Sequence, residues 1–211
     1  MTKMCIKMVQ KKIKMQIQNR ISHKSPGAVF TARDFSDIAD NATIRQNLKR
    51  LAESGTIRRI GRGVYDKPVF SKLLKEYEAA DIYQTAQTLA RTYNWTIAPS
   101  GNTALNMLGL STQVSSRWSF VSDGPYKKYT IATNTIEFKH RTNRELTGMS
   151  GKTILIIQAL KALGKEQVTE TVLAKLQQQL SVSEKNKLLV ESRNASLWIV
   201  KAIKKICEDK I

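Results

Sequence analysis

The sequence has few of the residues from which disulfide frameworks and metal sites are built. Its 211 residues include two cysteines, Cys5 and Cys207, near opposite ends of the chain, and two isolated histidines, His23 and His140. A disulfide-rich scaffold needs more cysteines than this, and a metal site needs ligands that are clustered. We therefore expect no cofactor, no metal, and a cytoplasmic protein with reduced thiols.

Long apolar runs are absent as well. No stretch approaches the roughly 18 consecutive apolar residues that a membrane-spanning helix requires. The N-terminal segment MTKMCIKMVQKKIKMQIQNR has no continuous apolar centre of the kind found in signal peptides. The sequence thus predicts no membrane association, while an apolar content of 41% is enough to bury a core.

Signatures of catalysis are missing too. GMSGKT (148–153) resembles a phosphate-binding loop, but that loop needs a glycine five residues before Gly151, where Leu146 stands. A turn followed by a capped helix fits this segment better. Glu137 and His140 are three positions apart on a predicted strand, which places them on opposite faces. We expect no enzyme.

Positive charge is what the sequence has in excess. The chain has 35 Lys and Arg against 17 Asp and Glu, a net charge of +18. Such a balance indicates a polyanionic partner, with nucleic acid the default. Residues 1–68 hold 15 basic and 5 acidic residues, so more than half of the excess lies in the first third.

This first third has the pattern of three helices followed by a hairpin. Apolar residues at helical spacing predict a helix over 4–21. TARD (31–34) is typical of a capping box and begins a second helix. Asn41 suits the cap of a third helix over 42–54, which Gly55 ends. The apolar stripe of the first helix consists of Ile6, Val9, Ile13, Ile17 and Ile21.

The third helix has two chemically distinct sides. Ile44, Leu48 and Leu51 fall on one side and are expected to be buried. The remaining surface carries hydrogen-bonding and basic side chains, namely Thr43, Arg45, Gln46, Lys49 and Arg50. Arg and Lys can bind guanine, Gln can bind adenine, and all of them can reach phosphates. A solvated helix face would show the same residue types.

The segment TIRRIGRGVYDKP (56–68) favours DNA binding over that alternative. Gly61 and Gly63 permit a tight turn between two short strands. Three cations, Arg58, Arg59 and Arg62, crowd this predicted hairpin. Helices followed by an Arg-rich hairpin are the order of a winged helix-turn-helix, whose wing lies along the backbone or in the minor groove. We predict a double-stranded DNA-binding domain over 1–68.

A second domain is predicted over 69–211. FSKLLKEYE (70–78) predicts a short helix, and further helices follow over about 79–93 and 100–110. Residues 116–140 alternate apolar and polar side chains over three runs, which predicts a small antiparallel meander. From residue 151 the pattern is helical. The whole chain is therefore expected to be α+β.

Aromatic residues of the predicted meander leave an alternative open. Trp118, Phe120, Tyr126 and Tyr129 lie among basic residues, a combination that can stack single-stranded nucleic acid. Trp118 and Phe120 could instead share one face and pack against the helices, which the need for a core favours. A winged-helix module that binds RNA or another protein is thus the second hypothesis.

Two stretches resemble a known family. SPGAVFTARDFSDIADNATIRQNLKRLAESGTIRRIGRGVYDKP (25–68) is similar to the N-terminal winged helix of AbiEi-type antitoxins of type IV toxin–antitoxin systems. APSGNTALNMLGLSTQV (98–114) is similar to the start of their second domain. Residues 143–211 show no comparable likeness to the antitoxin segment.

The resemblance implies a function. It implies a repressor that binds inverted repeats upstream of its own operon, as an oligomer on DNA where half-sites are paired. It further implies a second domain that counters a nucleotidyltransferase-like toxin. By position, the DNA-reading helix of the family corresponds to Thr43–Arg50 and its wing to Arg58–Arg62.

Overall fold

The computed structural model describes residues 3–113, 115–142, 146 and 148–208, with side chains from residue 8 onward. Helices and sheets are both present, and the α+β class is confirmed. The chain forms two compact units, one comprising residues up to Asn94 with Thr130–Ala132, the other Trp95–Tyr129 with residues from Thr133 onward. The predicted domain boundary at Pro68 stays a prediction; the compact units divide after Asn94.

The described part of the first unit contains three α-helices and five short strands. In chain order they are α1 (Lys3–Ser22), β1 (Val29–Thr31), α2 (Asn41–Glu53), β2 (Arg58–Gly61), β3 (Val64–Asp66), β4 (Phe70–Ser71), β5 (Glu76–Tyr77) and α3 (Ile82–Tyr93). Strands β1, β3 and β2 form an antiparallel sheet in that order. The hairpin predicted over 56–68 is thereby confirmed.

One apolar core holds this unit together. The stripe of α1 contributes Ile17 and Ile21, which are buried, while its more N-terminal Val9 is exposed. The aliphatic side of α2 and the rings of Phe30 and Phe35 complete the core. The predicted stripe therefore packs only along its C-terminal half. The side chains of Cys5 and Ile6 lie outside the described residues.

Three local predictions are wrong in this region. The predicted second helix is a single 3-10 turn, Ala32–Phe35, although its capping box is present, with the Thr31 amide donating to Asp34 over 2.7 Å. FSKLLKEYE forms no helix but the hairpin β4–β5, in which Phe70 lies opposite Tyr77. The N-cap of α2 is Asp40 rather than Asn41.

Helix α3 packs on β1 through polar as well as apolar contacts. Gln84 accepts a hydrogen bond from the Val29 amide over 2.8 Å, and the hydroxyls of Thr31 and Thr92 lie 3.0 Å apart. The Arg91 guanidinium donates to Asp34 over 2.8 Å. These bonds fix α3 to the first unit.

The second unit contains four strands and five α-helices among its described residues. They are β6 (Ile97–Pro99), α4 (Gly101–Met107), β7 (Arg117–Ser122), β8 (Lys127–Ile131), β9 (Asn134–His140), α5 (Gly151–Leu163), α6 (Glu170–Gln178), α7 (Val182–Glu191) and α8 (Leu197–Cys207). The helices bury one continuous core, to which Leu160, Leu176, Leu188 and Ile203 contribute. None of the helices that the structure describes has the length and apolarity needed to span a bilayer.

The order of the sheet corrects the predicted meander. Its strands lie in the order β6-β7-β9-β8, and β7 pairs with β9 in parallel, for example Phe120 with Phe138. In a meander each strand would pair with its sequence neighbours, whereas β8 here lies outside β9. The pairing of β6 with β7 is antiparallel, so the sheet is mixed.

Candidate nucleic-acid interface

The start of α2 is fixed by Asp40. Its carboxylate accepts hydrogen bonds from the Thr43 amide over 3.0 Å and from the Thr43 hydroxyl over 2.6 Å. These bonds, that of the hydroxyl above all, lower the pKa of Asp40. Thr43 was predicted to flank the DNA-reading face, but its hydroxyl is occupied by the cap of the helix.

The two sides of α2 separate as the periodicity predicts. Ile44, Leu48 and Leu51 are buried in the core of the first unit. Asn47 is buried between them and donates to the Thr43 carbonyl over 2.9 Å, an i to i−4 bond. The opposite side is exposed and consists of Arg45, Gln46, Lys49 and Arg50, which we call the α2 polar face.

The α2 polar face is largely without internal partners. No hydrogen bond or ion pair joins the side chains of Arg45, Gln46 or Arg50 to any residue that the structure describes. Lys49 forms one exposed ion pair with Glu53, with Nζ and Oε1 3.7 Å apart. Exposed pairs of this kind contribute about 0.5 kcal/mol or less. The groups of this face therefore remain available to an external ligand.

The hairpin β2–β3 follows α2 directly. The amides of Thr56 and Ile57 both donate to the Leu51 carbonyl, so the end of α2 is joined to the start of the hairpin. Gly63 has a φ of +74°, a left-handed conformation that favours glycine at the turn. A register shift between Arg59 and Gly61 marks a bulge in β2.

The three arginines of this hairpin have different environments. Arg58 lies opposite Asp66, and its Nε and Nη2 donate to the two carboxylate oxygens over 3.1 and 2.5 Å. Asp66 is 1% exposed, and the hydrogen bonds that Arg58 donates to its carboxylate raise the pKa of Arg58. Arg58 was predicted to contact DNA, yet its guanidinium is paired with the Asp66 carboxylate.

Arg59 and Arg62 are exposed and have no carboxylate partner among the described residues. Among the described residues, Arg59 forms one side-chain hydrogen bond, from its Nε to the Gly61 carbonyl over 3.3 Å. An arginine that bonds only to a carbonyl keeps most of its donors for other ligands. Of the eight predicted residues, six are exposed, whereas Thr43 and Arg58 are half-buried and bond to the carboxylates of Asp40 and Asp66.

Sequence reasoning missed the carboxylates of this region. Arg20 forms a two-bond pair with Asp37, at 2.6 and 2.7 Å, which lowers the pKa of Asp37 to about 2. A regular hairpin that turns at Arg62 and Gly63 would place Arg59 opposite Asp66, and the bulge in β2 shifts the register by one residue so that Arg58 lies there instead. No local signal links Arg20 to Asp37.

A further basic surface of the first unit lies on α1. Three of its lysines, Lys11, Lys12 and Lys14, are exposed. By contrast, the ammonium group of Lys67 has partners within the protein, since it donates to the carbonyls of Ser22 and Lys24 over 2.8 and 2.7 Å. Lys67 thereby satisfies backbone carbonyls at the C-terminal end of α1.

The basic residues of the four-stranded sheet lie around a buried carboxylate. Glu137 is 4% exposed and accepts a hydrogen bond from the Tyr126 hydroxyl. Lys128 and Lys139 lie 3.2 and 3.5 Å from its two oxygens. Tyr126 and these lysines lower the pKa of Glu137 to about 2 despite its burial.

The aromatic rings of this sheet are mostly covered. Phe120 is fully buried, and Tyr129 packs edge-to-face on Phe138. The Lys127 ammonium lies 5.9 Å from the centre of the Trp95 ring and 5.3 Å from that of Tyr129. Of the four aromatics considered for stacking, only Tyr126 is exposed by more than half. The burial of Phe120 agrees with the packing interpretation, and Trp118 is half-buried.

The segment resembling a phosphate-binding loop begins α5. Ser150 caps this helix, and Glu191 accepts hydrogen bonds from the Ser150 amide and hydroxyl over 2.9 and 2.8 Å. A carboxylate thus occupies the position that a phosphate would need. The predicted turn and capped helix are confirmed.

Comparison with known proteins adds one finding. No curated protein matches the chain in sequence. A family model does match it over residues 16–189, which include α2, the hairpin β2–β3 and most of the second unit. The description of that family assigns no activity, and the likeness to AbiEi-type antitoxins stays a prediction. The chain belongs to the family of unknown function DUF6088.

Proposed function

We propose that the chain is a transcriptional repressor that binds double-stranded DNA through a winged helix-turn-helix in its first unit. The observation that carries the proposal is the α2 polar face, where four exposed side chains suited to DNA bind almost no protein group. Helix α2 would lie in the major groove, and Arg59 and Arg62 of the following hairpin would contact the backbone or minor groove.

The groups of this face match the chemistry of a duplex. Arg45, Lys49 and Arg50 can each neutralise a phosphate or bond to guanine, and the Gln46 amide can pair with adenine. Lys11, Lys12 and Lys14 of α1 add positive charge to the same unit. Charge of this density supports salt-dependent binding, to which counterion release from the phosphates contributes.

Two parts of the proposal come from the resemblance to AbiEi-type antitoxins. The operator would be inverted repeats upstream of the chain's own operon, and the partner would be a nucleotidyltransferase-like toxin that the second unit counters. Such a protein acts in the cytoplasm and catalyses no reaction. Coexpression with the neighbouring gene tests the second part, and failure to relieve growth inhibition would remove the antitoxin role alone.

DNA binding is tested by fluorescence anisotropy with a duplex from the upstream region and a scrambled duplex, across a salt series. We expect log affinity to fall linearly with log salt, with a slope of about −0.9 per neutralised phosphate. Tighter binding to the upstream duplex than to the scrambled one would indicate an operator. Equal affinity for the two duplexes would leave non-specific binding only.

Two double variants locate the interface. We expect R45A/R50A and R59A/R62A each to weaken duplex binding by about 100-fold and to reduce the salt slope by about 2. The matched control, K201A/K204A, removes two exposed lysines of α8 and the same amount of charge. An equal loss of affinity in all three variants would show that only net charge matters, and would contradict the proposed interface.

A further inference from the structure

The hairpin β4–β5 exposes a continuous set of large apolar side chains. Phe70, Leu73, Leu74 and Tyr77 are 52%, 90%, 65% and 60% exposed. Phe70 and Tyr77 lie opposite each other in the register, with ring centres 5.3 Å apart. The two leucines lie in the turn between the two strands, and the four side chains, which we call the apolar patch, expose on the order of 400 Å².

This hairpin has little to stabilise it within one chain. Its two strands pair only with each other among the described residues, so each has an open edge. An isolated two-stranded hairpin is marginally stable in water, and a longer sheet or a packed face is needed to hold it. Patches of this size on a soluble chain usually mark an interaction surface.

The charges around the patch indicate what covers it. Lys72 and Lys75 stand beside Glu76 and Glu78, so the hairpin is locally neutral in a chain of net charge +18. No ion pair joins these four side chains to any residue in the described ranges. Two lysines and two glutamates can pair reciprocally with their counterparts across a two-fold axis, where the same patch faces itself.

A second exposed apolar surface of the first unit, on α1, is not locally neutral. Met8, Val9 and Met15 are exposed on α1, but Lys11, Lys12 and Lys14 lie among them. A second copy placed there would bring like charges together, which is unfavourable. The neutral hairpin is therefore the better surface for self-association.

We propose that the hairpin 70–77 is a self-association surface that packs on the same hairpin of a second copy across a two-fold axis. The two apolar patches and their charged margins together bury about 1,000 Å², near the lower limit for a specific interface. The expected dimer is accordingly reversible. The proposal does not depend on DNA binding.

Sedimentation velocity of the full chain tests this dimer from about 1 to 100 µM, at about 0.3 M salt to screen the net charge. We expect a concentration-dependent monomer–dimer equilibrium in the unchanged protein. L73S/L74S should raise the dimer Kd at least about 100-fold, because each substitution acts twice by symmetry. The control L197S alters a leucine that is 82% exposed on α8 and should leave the Kd unchanged.

Charge variants test the reciprocal pairing. K72E/K75E and E76K/E78K should each be monomeric alone, because like charges then meet across the axis, and an equimolar mixture should recover the dimer. Circular dichroism confirms that each variant is folded. The proposal is overturned if the unchanged chain stays monomeric throughout, if L73S/L74S associates like the unchanged chain, or if the mixture shows no recovery. A monomer that cosediments with anionic lipid vesicles would assign the hairpin to a membrane surface instead.

Discussion

The two basic regions of the molecule differ in what their cations contact. On the α2 polar face, Arg45 and Arg50 bind no carboxylate among the described residues. On the four-stranded sheet, Lys128 and Lys139 flank the buried Glu137. Both regions look alike in the sequence, as basic residues among polar or aromatic ones. The difference shows that net charge identifies a polyanion-binding surface only after the internal partners of each cation are known.

The hairpin β2–β3 contains the same contrast over five residues. Arg58 is paired with Asp66, whereas Arg62 is exposed at the turn. A buried carboxylate needs a cation, because an unpaired buried charge costs several kcal/mol. One arginine of the hairpin therefore stabilises the fold and another is available for binding.

The largest expected effect is on the sheet. The pKa of Glu137 is lowered to about 2, from an ordinary value near 4.5. A lowered pKa stabilises the fold fully above pH 4.5, and this contribution decreases as the pH falls toward 2. We expect Glu137→Gln to cost about 3 kcal/mol of unfolding free energy at pH 7. The deficit should shrink by about 2 kcal/mol at pH 3, where the unfolded chain binds the proton.

Tryptophan fluorescence during urea unfolding measures this deficit in the second unit, which contains Glu137. All three tryptophans, Trp95, Trp118 and Trp198, belong to the second unit. A deficit that is equal at pH 7 and pH 3 would show that the carboxylate charge is not what stabilises the sheet. The same variant leaves Lys128 and Lys139 without their carboxylate. We expect its non-specific DNA affinity to rise, because these two lysines would then lack a carboxylate partner, like the arginines of the α2 polar face.

The next effect concerns the buried pair of the hairpin. Asp66→Asn leaves Arg58 without its counter-charge, and we expect it to destabilise the first unit by about 2 kcal/mol, because Arg58 is partly solvated. Urea unfolding followed by far-UV circular dichroism measures the loss. Asp37→Asn is the matched control, since its pair with Arg20 is exposed and its loss should destabilise the unit much less. Equal losses in the two variants would show that the pair of Arg58 with the buried Asp66 contributes no more to stability than the exposed pair of Arg20 with Asp37.

These contrasts also show how far the sequence alone could lead. Periodicity located α1, α2 and α3 because each helix buries one apolar stripe. It failed at 70–78, where Phe70, Leu73, Leu74 and Tyr77 have the i, i+3, i+4, i+7 spacing of a helix face. The same spacing arises when two residues pair across a four-residue turn, so the pattern cannot separate the two structures.

Pairing partners were the part that no local pattern contained. The alternation over 116–140 predicted three strands, but not that β9 would pair with β7 in parallel. The exposure of Arg45, Gln46 and Arg50 was predictable, because it follows from helix geometry. Arg58 is paired with Asp66 because of the register between β2 and β3, and neither strand determines that register alone.

A smaller effect separates the hairpin arginines in binding. Arg62→Ala should weaken duplex affinity by about 10-fold and reduce the salt slope by about 1, with stability within about 0.5 kcal/mol. The comparison variant R58M/D66L removes the Arg58 guanidinium without leaving a buried charge, and such replacements are often tolerated. Its affinity and salt slope should match those of the unchanged chain. A smaller salt slope in R58M/D66L than in the unchanged chain would show that Arg58 contacts DNA.

The smallest effect tests whether an internal partner limits binding on the α2 polar face itself. Lys49 is the one cation of this face with a carboxylate neighbour, Glu53 at 3.7 Å. Glu53→Gln should raise duplex affinity by about 2- to 3-fold, because Lys49 no longer exchanges one partner for another on binding, while stability changes by about 0.5 kcal/mol or less.

Removing any carboxylate raises the net charge, so the control must change the net charge equally. Glu166→Gln does so at an exposed position of the second unit, distant in sequence from α2. Anisotropy at two salt concentrations separates the alternatives. A gain confined to Glu53→Gln, and larger at low salt, means that Lys49 reaches a phosphate. The same gain in both variants means that long-range charge accounts for it and that Lys49 contributes no contact of its own.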